Sequence, residues 1–474
     1  AMFEPRNFNV YESNDEDIFY INQLVYSSLF KLDKNLNITP DVVSKYSVDT
    51  SNGEVNISLK DNVKFSDGSD LESSDVKASV DRIIAAESRS PYFVYASKIN
   101  HIQINDSKNF TVVFNSASDA ALDNLIFPIT SAREYKKGES FAIGSGPYAY
   151  SGHESGKTLK LAVNKYYYDG IAKLPIVFNI VKDRSVIPGL MTMDVVTAYL
   201  NKTQDADSIA QDKKLKYKKL ASGELEYLGF NHENKYCSNS KFRIAISKAI
   251  DSSKIIKYNY AGAAVTSDSI YYPNFLGAKK DDTFNFEPKK ATKLLKELKL
   301  KDRDEDGIIE DESGNPVTLR ILVQNTNKQR LEAAETIIEN LKQIGINAEL
   351  VSVDADSYKD KLESKQYDIY FGGIKIDKQF NLTDLYTTYN KIGFSDSKLL
   401  TQISRLEQSL SSEEQLKQFT AIKKSINQDA SYVPVCYKAY WFLSVDTLKN
   451  ADEVSFYSPY EGAVKWQWSK RKTK

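Results

Sequence analysis

Apolar and polar positions alternate with a period of two along much of the first half of the chain. The stretch "EVNISLKDNVKF" places Val55, Ile57 and Leu59 on one face, which predicts a strand that is buried on one side. The stretch "HIQINDSKNFTVVFN" predicts two strands joined by a polar turn at 105–109. The stretch "GSGPYAY" predicts a turn that leads into a further strand. This half is therefore expected to be rich in β-structure.

One amphipathic helix is predicted between these strands, in "SDGSDLESSDVKASVDRIIAA". Ser73 or Ser74 is its expected N-cap, because a serine hydroxyl accepts a hydrogen bond from the free N–H groups at the start of a helix. Four apolar residues recur at helical spacing and are expected to face the core, namely Val76, Val80, Ile83 and Ile84.

The second half changes to a regular alternation of helices and strands. A helix in "EPKKATKLLKEL" precedes the strand "VTLRILV", and a long helix in "KQRLEAAETIIENLKQIG" precedes the strand "INAELVSV". A helix over 356–364 and a strand from Tyr367 follow. Helices over 398–410 and 413–428 and the strand "SYVPVCYKAYWFLSV" come last. This β-α-β-α-β order predicts an α/β layer.

The long helix of this layer is expected to end at Gly345, because glycine readily adopts the left-handed conformation that ends a helix. Its expected core face consists of four apolar residues at helical spacing, namely Leu331, Ala334, Ile338 and Leu341.

Length and composition define the class of protein. A chain of 474 residues exceeds the about 250–300 residues that one hydrophobic core can organise, so two or three domains are expected. A net charge of −1 gives no electrostatic footprint for nucleic acid. No run approaches the roughly 18 apolar residues that a membrane span needs. The predicted fold class is mixed α/β with more than one lobe.

Two cysteines, Cys237 and Cys436, leave the redox state open. They could form a disulfide or remain free thiols, because the spacing of two cysteines does not show whether their Cα atoms come within reach of each other.

Catalytic signatures are missing from the sequence. The three histidines, His101, His153 and His232, have no partner at metal-ligand spacing. No nucleophile elbow, P-loop or dinucleotide-binding glycine motif is present. The "GSGPY" stretch is better interpreted as a turn than as a phosphate loop, because Pro147 lacks the N–H donor that such a loop needs. An enzyme and a bound cofactor are therefore not expected.

The acidic stretch "DRDEDGIIED" resembles the start of a calcium-binding loop. Asp302, Asp304 and Asp306 stand at alternate positions, and Gly307 supplies the turn. Ser313 occupies the position where a bidentate glutamate would be required. A hydrated acidic hairpin without a metal ion is the alternative interpretation.

An aspartate follows directly after a strand that the sequence predicts to be buried. In "YDIYFGGIKIDKQFN" the apolar run ends at Ile376, and Asp377 comes next between Lys375 and Lys378. This carboxylate could cap a turn and pair with one of the lysines, or it could meet a ligand.

Several stretches, in order, resemble the family 5 extracellular solute-binding proteins, the peptide, dipeptide and nickel receptors of ABC importers. "VKFSDGSDLESSDVKASVDRI" is similar to the family's most specific signature, and "IGSGPYAY" resembles its "GTGPY" turn. "YLGFNHENKYCSNSKFRIAISKAIDSSKII" matches a further segment, with Arg243 as its arginine. "QLVYSSLFKLDKNLNITPDVVSKYSVD", "EPKKATKLLKEL", "IIENLKQIGINAELVSVDADSYKDKL" and "YDIYFGGIKID" extend the similarity over essentially the whole chain.

This resemblance implies a bilobal, periplasmic-binding-protein-like fold with an extra subdomain and a two-strand hinge between the lobes. The first lobe is expected to comprise 1–42, 158–235 and 443–474, with 43–157 as the extra subdomain. An α/β lobe is expected over 236–442. Ligand is expected to be enclosed when the two lobes close.

The resemblance also implies site residues. An aspartate shortly after a "GW" pair binds the ligand's α-ammonium in peptide-binding members, and Asp377 falls at that position, although Ile374 replaces the tryptophan. The expected ligand contacts are Asp377, Gly373, Ile374, Lys375, Ile376, Tyr26, Ser27, Ser28, Tyr386, Tyr389 and Asn390. Ordinary packing is the alternative role for the tyrosines, the serines and Asn390.

The predicted function is a monomeric receptor that captures short peptides and delivers them to the permease subunits of an ABC transporter. The precursor is expected to carry a leader and a lipid anchor at the extracellular face of the membrane. A receptor for nickel chelates or sugars is the alternative within the family. A structural surface protein without a ligand, and an enzyme on this scaffold, are the alternatives from other classes.

Overall fold

The computed structural model describes residues 1–49, 51–117, 121–132, 141–203, 205–376, 383–387, 389–407 and 412–469. Helices in this part of the chain are numbered in chain order: α1 (Glu16–Val25), α2 (Ser73–Ala86), α3 (Phe93–Ala96), α4 (Ile187–Thr192), α5 (Ala206–Asp212), α6 (Ser240–Ala249), α7 (Ser252–Tyr258), α8 (Pro288–Glu297), α9 (Lys328–Lys342), α10 (Ala355–Glu363), α11 (Thr383–Tyr386), α12 (Ser397–Glu407) and α13 (Ser412–Asp429).

The strands are numbered in the same way: β1 (Phe30–Leu32), β2 (Ile38–Pro40), β3 (Val43–Asp49), β4 (Glu54–Leu59), β5 (Ile99–Ile104), β6 (Asn109–Phe114), β7 (Tyr148–Glu154), β8 (Thr158–Val163), β9 (Ile176–Asn179), β10 (Ala198–Asn201), β11 (Lys216–Phe230), β12 (Ala264–Val265), β13 (Thr318–Gln324), β14 (Asn347–Val353), β15 (Ile369–Lys375), β16 (Tyr432–Ser444), β17 (Leu448–Lys449) and β18 (Gln467–Trp468).

The chain divides into two compact units. Unit 1 comprises Ala1–Asn201, Ser208–Lys218 and Trp441–Lys474, and unit 2 comprises Lys202–Asp207 and Lys219–Tyr440. Apart from the short segment Lys202–Asp207, the chain passes from one unit to the other within β11 and again within β16. The lobe boundaries expected from the sequence remain a prediction.

Unit 1 contains antiparallel sheets and its own core. β3, β4, β6 and β5 form a four-stranded sheet in that order, and β7, β8 and β9 form a three-stranded sheet. Val55, Ile57 and Leu59 of β4 are buried, as the alternation predicts. The predicted hairpin is confirmed, because β5 and β6 pair in antiparallel register.

Helix α2 confirms the predicted helix but begins differently. Its N-cap is Glu72, which forms a capping box with Asp75, so the serine cap predicted at position 73 or 74 is wrong. A glutamate and an aspartate three positions apart can satisfy each other's backbone N–H groups, and Ser73 becomes the first helical residue. Ile84 is 37% exposed, so its predicted place on the core face is also wrong.

Unit 2 is built on a mixed sheet in which β16, β11, β15, β13 and β14 are neighbours in that order. β13 runs parallel to β14 and to β15, and β11 runs antiparallel to β15. Helix α9 connects β13 to β14, and α10 connects β14 to β15. The predicted β-α-β-α-β layer is therefore confirmed.

Helix α9 buries a face that differs from the predicted one. Ala334 and Leu341 are buried as expected, but Ala333 and Ile337 accompany them, while Leu331 and Ile338 are only partly buried. The predicted stop is confirmed, because Gly345 adopts a positive φ of 82° three residues after the helix ends.

A separate apolar core in unit 2 includes both cysteines. Cys237 and Cys436 are free and buried, so the structure contradicts the disulfide alternative and agrees with free thiols. Burial raises the pKa of both thiols well above its ordinary value. Among the described residues, the helices include none that has both the length and the apolar character of a membrane span.

Candidate functional site

The end of β15 carries the stretch that the sequence predicts to contact a ligand. β11 pairs with β15 from Ile369 to Lys375, whereas β13 pairs with it only at Ile369 and Tyr370. Within the described part of the chain, the edge of β15 from Phe371 to Lys375 on the side of β13 is not paired by a strand. Such an edge offers backbone groups to an extended chain.

Glycine at position 373 makes room for a buried ion pair. A Cβ atom there would lie 2.1 Å from the Arg330 Nη2 atom and 3.0 Å from a Glu226 carboxylate oxygen. The Arg330 guanidinium donates to Glu226 through Nε at 2.7 Å and through Nη2 at 3.0 Å. The side chains of Glu226 and Arg330 are only 3% and 12% exposed. This glycine therefore has a structural role in addition to its predicted contact with the ligand.

Further charges surround this pair. Lys438 Nζ lies 3.5 Å from Glu226 and 3.1 Å from Glu224, and the Tyr440 hydroxyl donates to Glu224. Burial opposes the charge of Lys438, but the two glutamates outweigh it and raise the pKa of the ammonium. Burial likewise opposes the charge of Glu224, but Lys438 outweighs it and lowers the pKa of that carboxyl. These contacts therefore favour the charged forms of Lys438 and Glu224.

Sequence reasoning missed this network. Glu226 stands in "GELEYLGF", where buried Leu225 and Tyr227 flank it, and a charged residue inside a run of buried strand residues is the signal that could have revealed it. Arg330 and Lys438 give no comparable signal, because basic residues at the start of a helix or in a strand are usually solvated.

Asp377, the expected partner of a ligand ammonium, lies outside the described residues, and its role remains a prediction. The preceding Ile376 is buried, and its N–H donates to the carbonyl of Gly223. Lys375 and Ile374 are exposed and half-buried respectively. The strand that leads to the aspartate is therefore well anchored.

The three candidates that follow Asp377 in sequence differ in accessibility. Tyr386 is 1% exposed, and its hydroxyl has no hydrogen-bond partner among the described residues. Asn390 is engaged locally, because its side-chain amide donates to the carbonyl of Phe394 and accepts from the N–H of that residue. Tyr389 is 53% exposed. Their contact with a ligand remains a prediction.

Unit 1 holds a pocket that brings Tyr26, Ser27 and Ser28 together. We call it the Ser27 pocket. Its volume is about 150 Å³. It is lined by Phe19, Asn22, Gln23, Leu24, Tyr26, Ser27, Ser28, Lys31, Leu32, Asp41, Tyr92, Ile126, Pro128, Pro147, Tyr167, Asp169, Glu453, Tyr457, Ser458, Tyr460, Glu461, Gly462, Ala463, Val464 and Lys465.

The "GSGPY" turn positions this segment. A Cβ atom on Gly144 would lie 2.1 Å from the carbonyl oxygen of Val25, and one on Gly146 would lie 2.6 Å from the carbonyl oxygen of Leu24. The N–H of Gly146 donates to Val25 at 2.9 Å. The turn therefore packs directly on the end of α1, and only glycine permits this approach. Tyr26 is fixed as well, because its hydroxyl donates to the carbonyl of Ala142.

The acidic loop brings the three predicted calcium ligands together. Carboxylate oxygens of Asp302, Asp304, Asp306 and Glu310 lie within 4.8 Å of one another. Each carboxylate also accepts a backbone N–H of the same loop, as Asp302 does from Gly307 at 3.0 Å. Both the calcium site and the hydrated hairpin fit this geometry, and the calcium site remains a prediction.

Comparisons with known proteins agree with one another. The family model described as bacterial extracellular solute-binding proteins, family 5 middle, matches residues 37–396. The glutathione-binding protein GsiB of Salmonella paratyphi A is 25% identical over 365 residues, which cover 75% of this chain and 69% of that protein. The oligopeptide-binding protein AppA of Bacillus subtilis is 24% identical over 396 residues, which cover 78% and 71%.

A solved structure of the periplasmic murein tripeptide-binding protein MppA, in its unliganded open form, superimposes with a TM-score of 0.83 at 14% identity. The match covers 99% of this chain and 96% of that one. At this identity the likeness shows the fold alone, and it confirms the predicted mixed α/β, periplasmic-binding-protein-like class. The chain belongs to family 5 of the bacterial extracellular solute-binding proteins.

Proposed function

We propose that this protein is the receptor of an ABC importer, which captures short peptides by closure of its two lobes and delivers them to membrane permease subunits. The observation that carries the proposal is the edge of β15 beyond Tyr370, which no strand pairs within the described part of the chain. An edge of this kind binds an extended backbone of any sequence, because it uses main-chain groups only.

The peptide's amino terminus is assigned to Asp377, the residue after the anchored Ile376. An ammonium group enclosed by protein needs a charge partner and hydrogen-bond acceptors. A charge-assisted hydrogen bond of this type contributes about 1.5–3 kcal/mol. The neighbouring network around Glu226 already balances its own charges, so it leaves this role to the aspartate.

The names of the compared proteins support a peptide ligand. They describe binding of glutathione, of oligopeptides and of a murein tripeptide. Extracellular placement accords with the family description, and a lipid anchor in the precursor is part of the proposal.

A nickel receptor finds less support among the described residues. Each histidine ring there is engaged separately: His101 with Asn100, His153 with Glu4 and His232 with Ser431. The described residues that come close enough to share a metal ion are the four carboxylates of the acidic loop, which suit calcium rather than nickel.

Native mass spectrometry of protein purified without denaturation tests the proposal. Extra masses that resolve into peptides on sequencing are expected, because a closed receptor retains its ligand. Replacement of Asp377 by Ala should then weaken peptide binding by about tenfold or more while the far-UV circular dichroism stays unchanged. Protein that stays bare after incubation with mixed peptides would contradict the function, and unchanged affinity of the variant would contradict only the role of Asp377.

A further inference from the structure

Helix α8 carries a row of lysines on the side that faces away from the core. Ala291 and Leu295 are its buried residues, and they belong to the apolar core of unit 2. Lys289, Lys293 and Lys296 stand at positions i, i+4 and i+7, which share the opposite side of the helix, and all three are exposed. We call this row the α8 lysine face. It lies entirely within unit 2.

Neighbouring carboxylates do not balance the charges of the α8 lysine face. In the described part of the chain, none of its three ammonium groups has an ion pair or a side-chain hydrogen bond. The two carboxylates nearest in sequence are engaged by other lysines. Glu287 lies 2.8 Å from Lys248 and 3.7 Å from Lys290, and Glu297 lies 3.3 Å from Lys241. The face therefore holds three uncompensated positive charges in a protein whose net charge is −1.

This arrangement of charges is unfavourable for the helix itself. Lys289 and Lys290 stand in the first turn, at the positive end of the helix dipole, where carboxylates would be stabilising. Lys289 and Lys293 form a like-charged pair four positions apart, which is also destabilising. A face that served only solubility would combine lysine with glutamate, because such pairs stabilise a helix. Local conflicts of this kind are expected at functional sites, and here they point to an anionic partner.

The side chains of the face discriminate between anionic partners. Protein–protein interfaces are depleted in lysine and are anchored by aromatic and arginine side chains in desolvated pockets. The α8 lysine face consists of exposed lysines instead. A lysine carries a compact, hydrated charge on a flexible stem, so it binds a phosphate group without a fixed geometry. Anionic lipids present many such phosphate groups in one plane, and each lysine near them adds its own share of attraction.

We propose that the α8 lysine face docks on the anionic lipid surface of a membrane, with its three ammonium groups next to the lipid phosphates. The row is about 10 Å long at the rise of an α-helix. This length is close to the Debye length of about 10 Å at 0.1 M salt, so the three charges act together on one patch of lipid. The inference goes beyond peptide capture and does not depend on it.

Flotation of the full chain with lipid vesicles tests the proposal. One set of vesicles consists of phosphatidylcholine, and the other of equal parts of phosphatidylcholine and anionic phosphatidylglycerol. Binding is expected to the anionic vesicles only. It should decline steeply between about 0.1 M and about 1 M salt, because the Debye length falls from about 10 Å to about 3 Å.

Substitutions on the face should weaken vesicle binding step by step. Each single change to Gln at positions 289, 293 and 296 should weaken it about fivefold, and the triple change about a hundredfold. A matched triple variant removes the same charge from exposed lysines of unit 1, namely Lys45→Gln, Lys160→Gln and Lys173→Gln. This control should bind as the unchanged protein does. Urea unfolding should show no loss of stability in the α8 variants, because their lysines have no partner in the described part of the chain.

Four outcomes would overturn the proposal. The first is equal binding to both kinds of vesicle, or to neither. The second is equal weakening by the control variant, or weakening only when Lys470 and Lys472 are replaced by Gln instead. The third is binding of poly-L-glutamate in place of anionic vesicles with the same dependence on the three lysines, which would indicate an acidic protein surface. The fourth is a clear loss of stability in the triple α8 variant, which would give the lysines a structural role. The vesicle assay contains no peptide, so each of these outcomes would leave the proposed function standing.

Discussion

Breaking the buried ion pair between Arg330 and Glu226 should strongly destabilise the protein. Arg330→Met removes the guanidinium that holds the carboxylate through two hydrogen bonds of 2.7 and 3.0 Å. Glu226 is 2% exposed, so water cannot replace the lost partner. Removing one member of a buried pair costs about 3–5 kcal/mol. Because Lys438 remains 3.5 Å from Glu226, the expected cost is at the lower end, about 3 kcal/mol.

A matched pair on the surface isolates the effect of burial. Lys77 and Asp81 of α2 also approach to 2.7 Å, but their side chains are 46% and 62% exposed. Lys77→Met should therefore change the free energy of unfolding by only about 0.5 kcal/mol. Adding Glu226→Gln to the Arg330→Met variant should recover part of the loss, because the carboxylate that lacks a partner is then neutral.

Urea unfolding, monitored by circular dichroism, measures the free energy of unfolding of each variant. The dependence of that free energy on urea concentration is fixed at the value of the unchanged protein when the variants are compared. The two units can unfold separately, so amide hydrogen exchange of β11 and β15 should accompany the equilibrium curves. An Arg330→Met variant that loses less than about 1 kcal/mol would refute the reasoning. If the double variant is no more stable than Arg330→Met alone, the unpaired charge of Glu226 is not the cause of the destabilisation.

Three further predictions concern other parts of the molecule. Gly373→Ala should displace the Arg330 guanidinium and cost about 1.5–3 kcal/mol in urea unfolding, whereas Gly152→Ala, which meets nothing within 4 Å, should cost far less. Burial and the charge of Arg243 lower the pKa of His232 to about 4 from its ordinary 6.5. The folded state thus resists protonation, and stability that is complete above pH 6.5 should decline as the pH falls toward 4. The slope should be somewhat below about 1.4 kcal/mol per pH unit because the ring is partly solvated, and a His232→Gln variant with the same pH dependence would disprove this. Calcium added to chelator-treated protein should bind the acidic loop in the millimolar range and no tighter, because most of its carboxylates are exposed and engaged in the turn; a calorimetric titration without heat at millimolar calcium would remove the site.

Elements with a strong period were predictable from sequence, and their ends were not. The apolar spacing in α9 and the alternation in β4 predicted both elements, because burial of one face determines the period whatever the neighbours are. The cap of α2 was missed for a local reason, because the capping box of Glu72 and Asp75 replaces the serine cap. The exposure of Ile84 depends instead on which residues the neighbouring segments cover. The local sequence pattern does not show which residues other segments of the chain will bury.

The candidate site divides in the same way. The sequence by itself determined the family, the order of elements and the strand that leads to Asp377, because motif order and periodicity are local properties of the chain. Only the tertiary structure decided that Glu226, Arg330 and Gly373 form one assembly and that Asn22 and Ser27 line one pocket. Glu226, Arg330 and Gly373 are far apart in sequence, and a buried charge acquires its partner only when folding brings distant segments together and removes water.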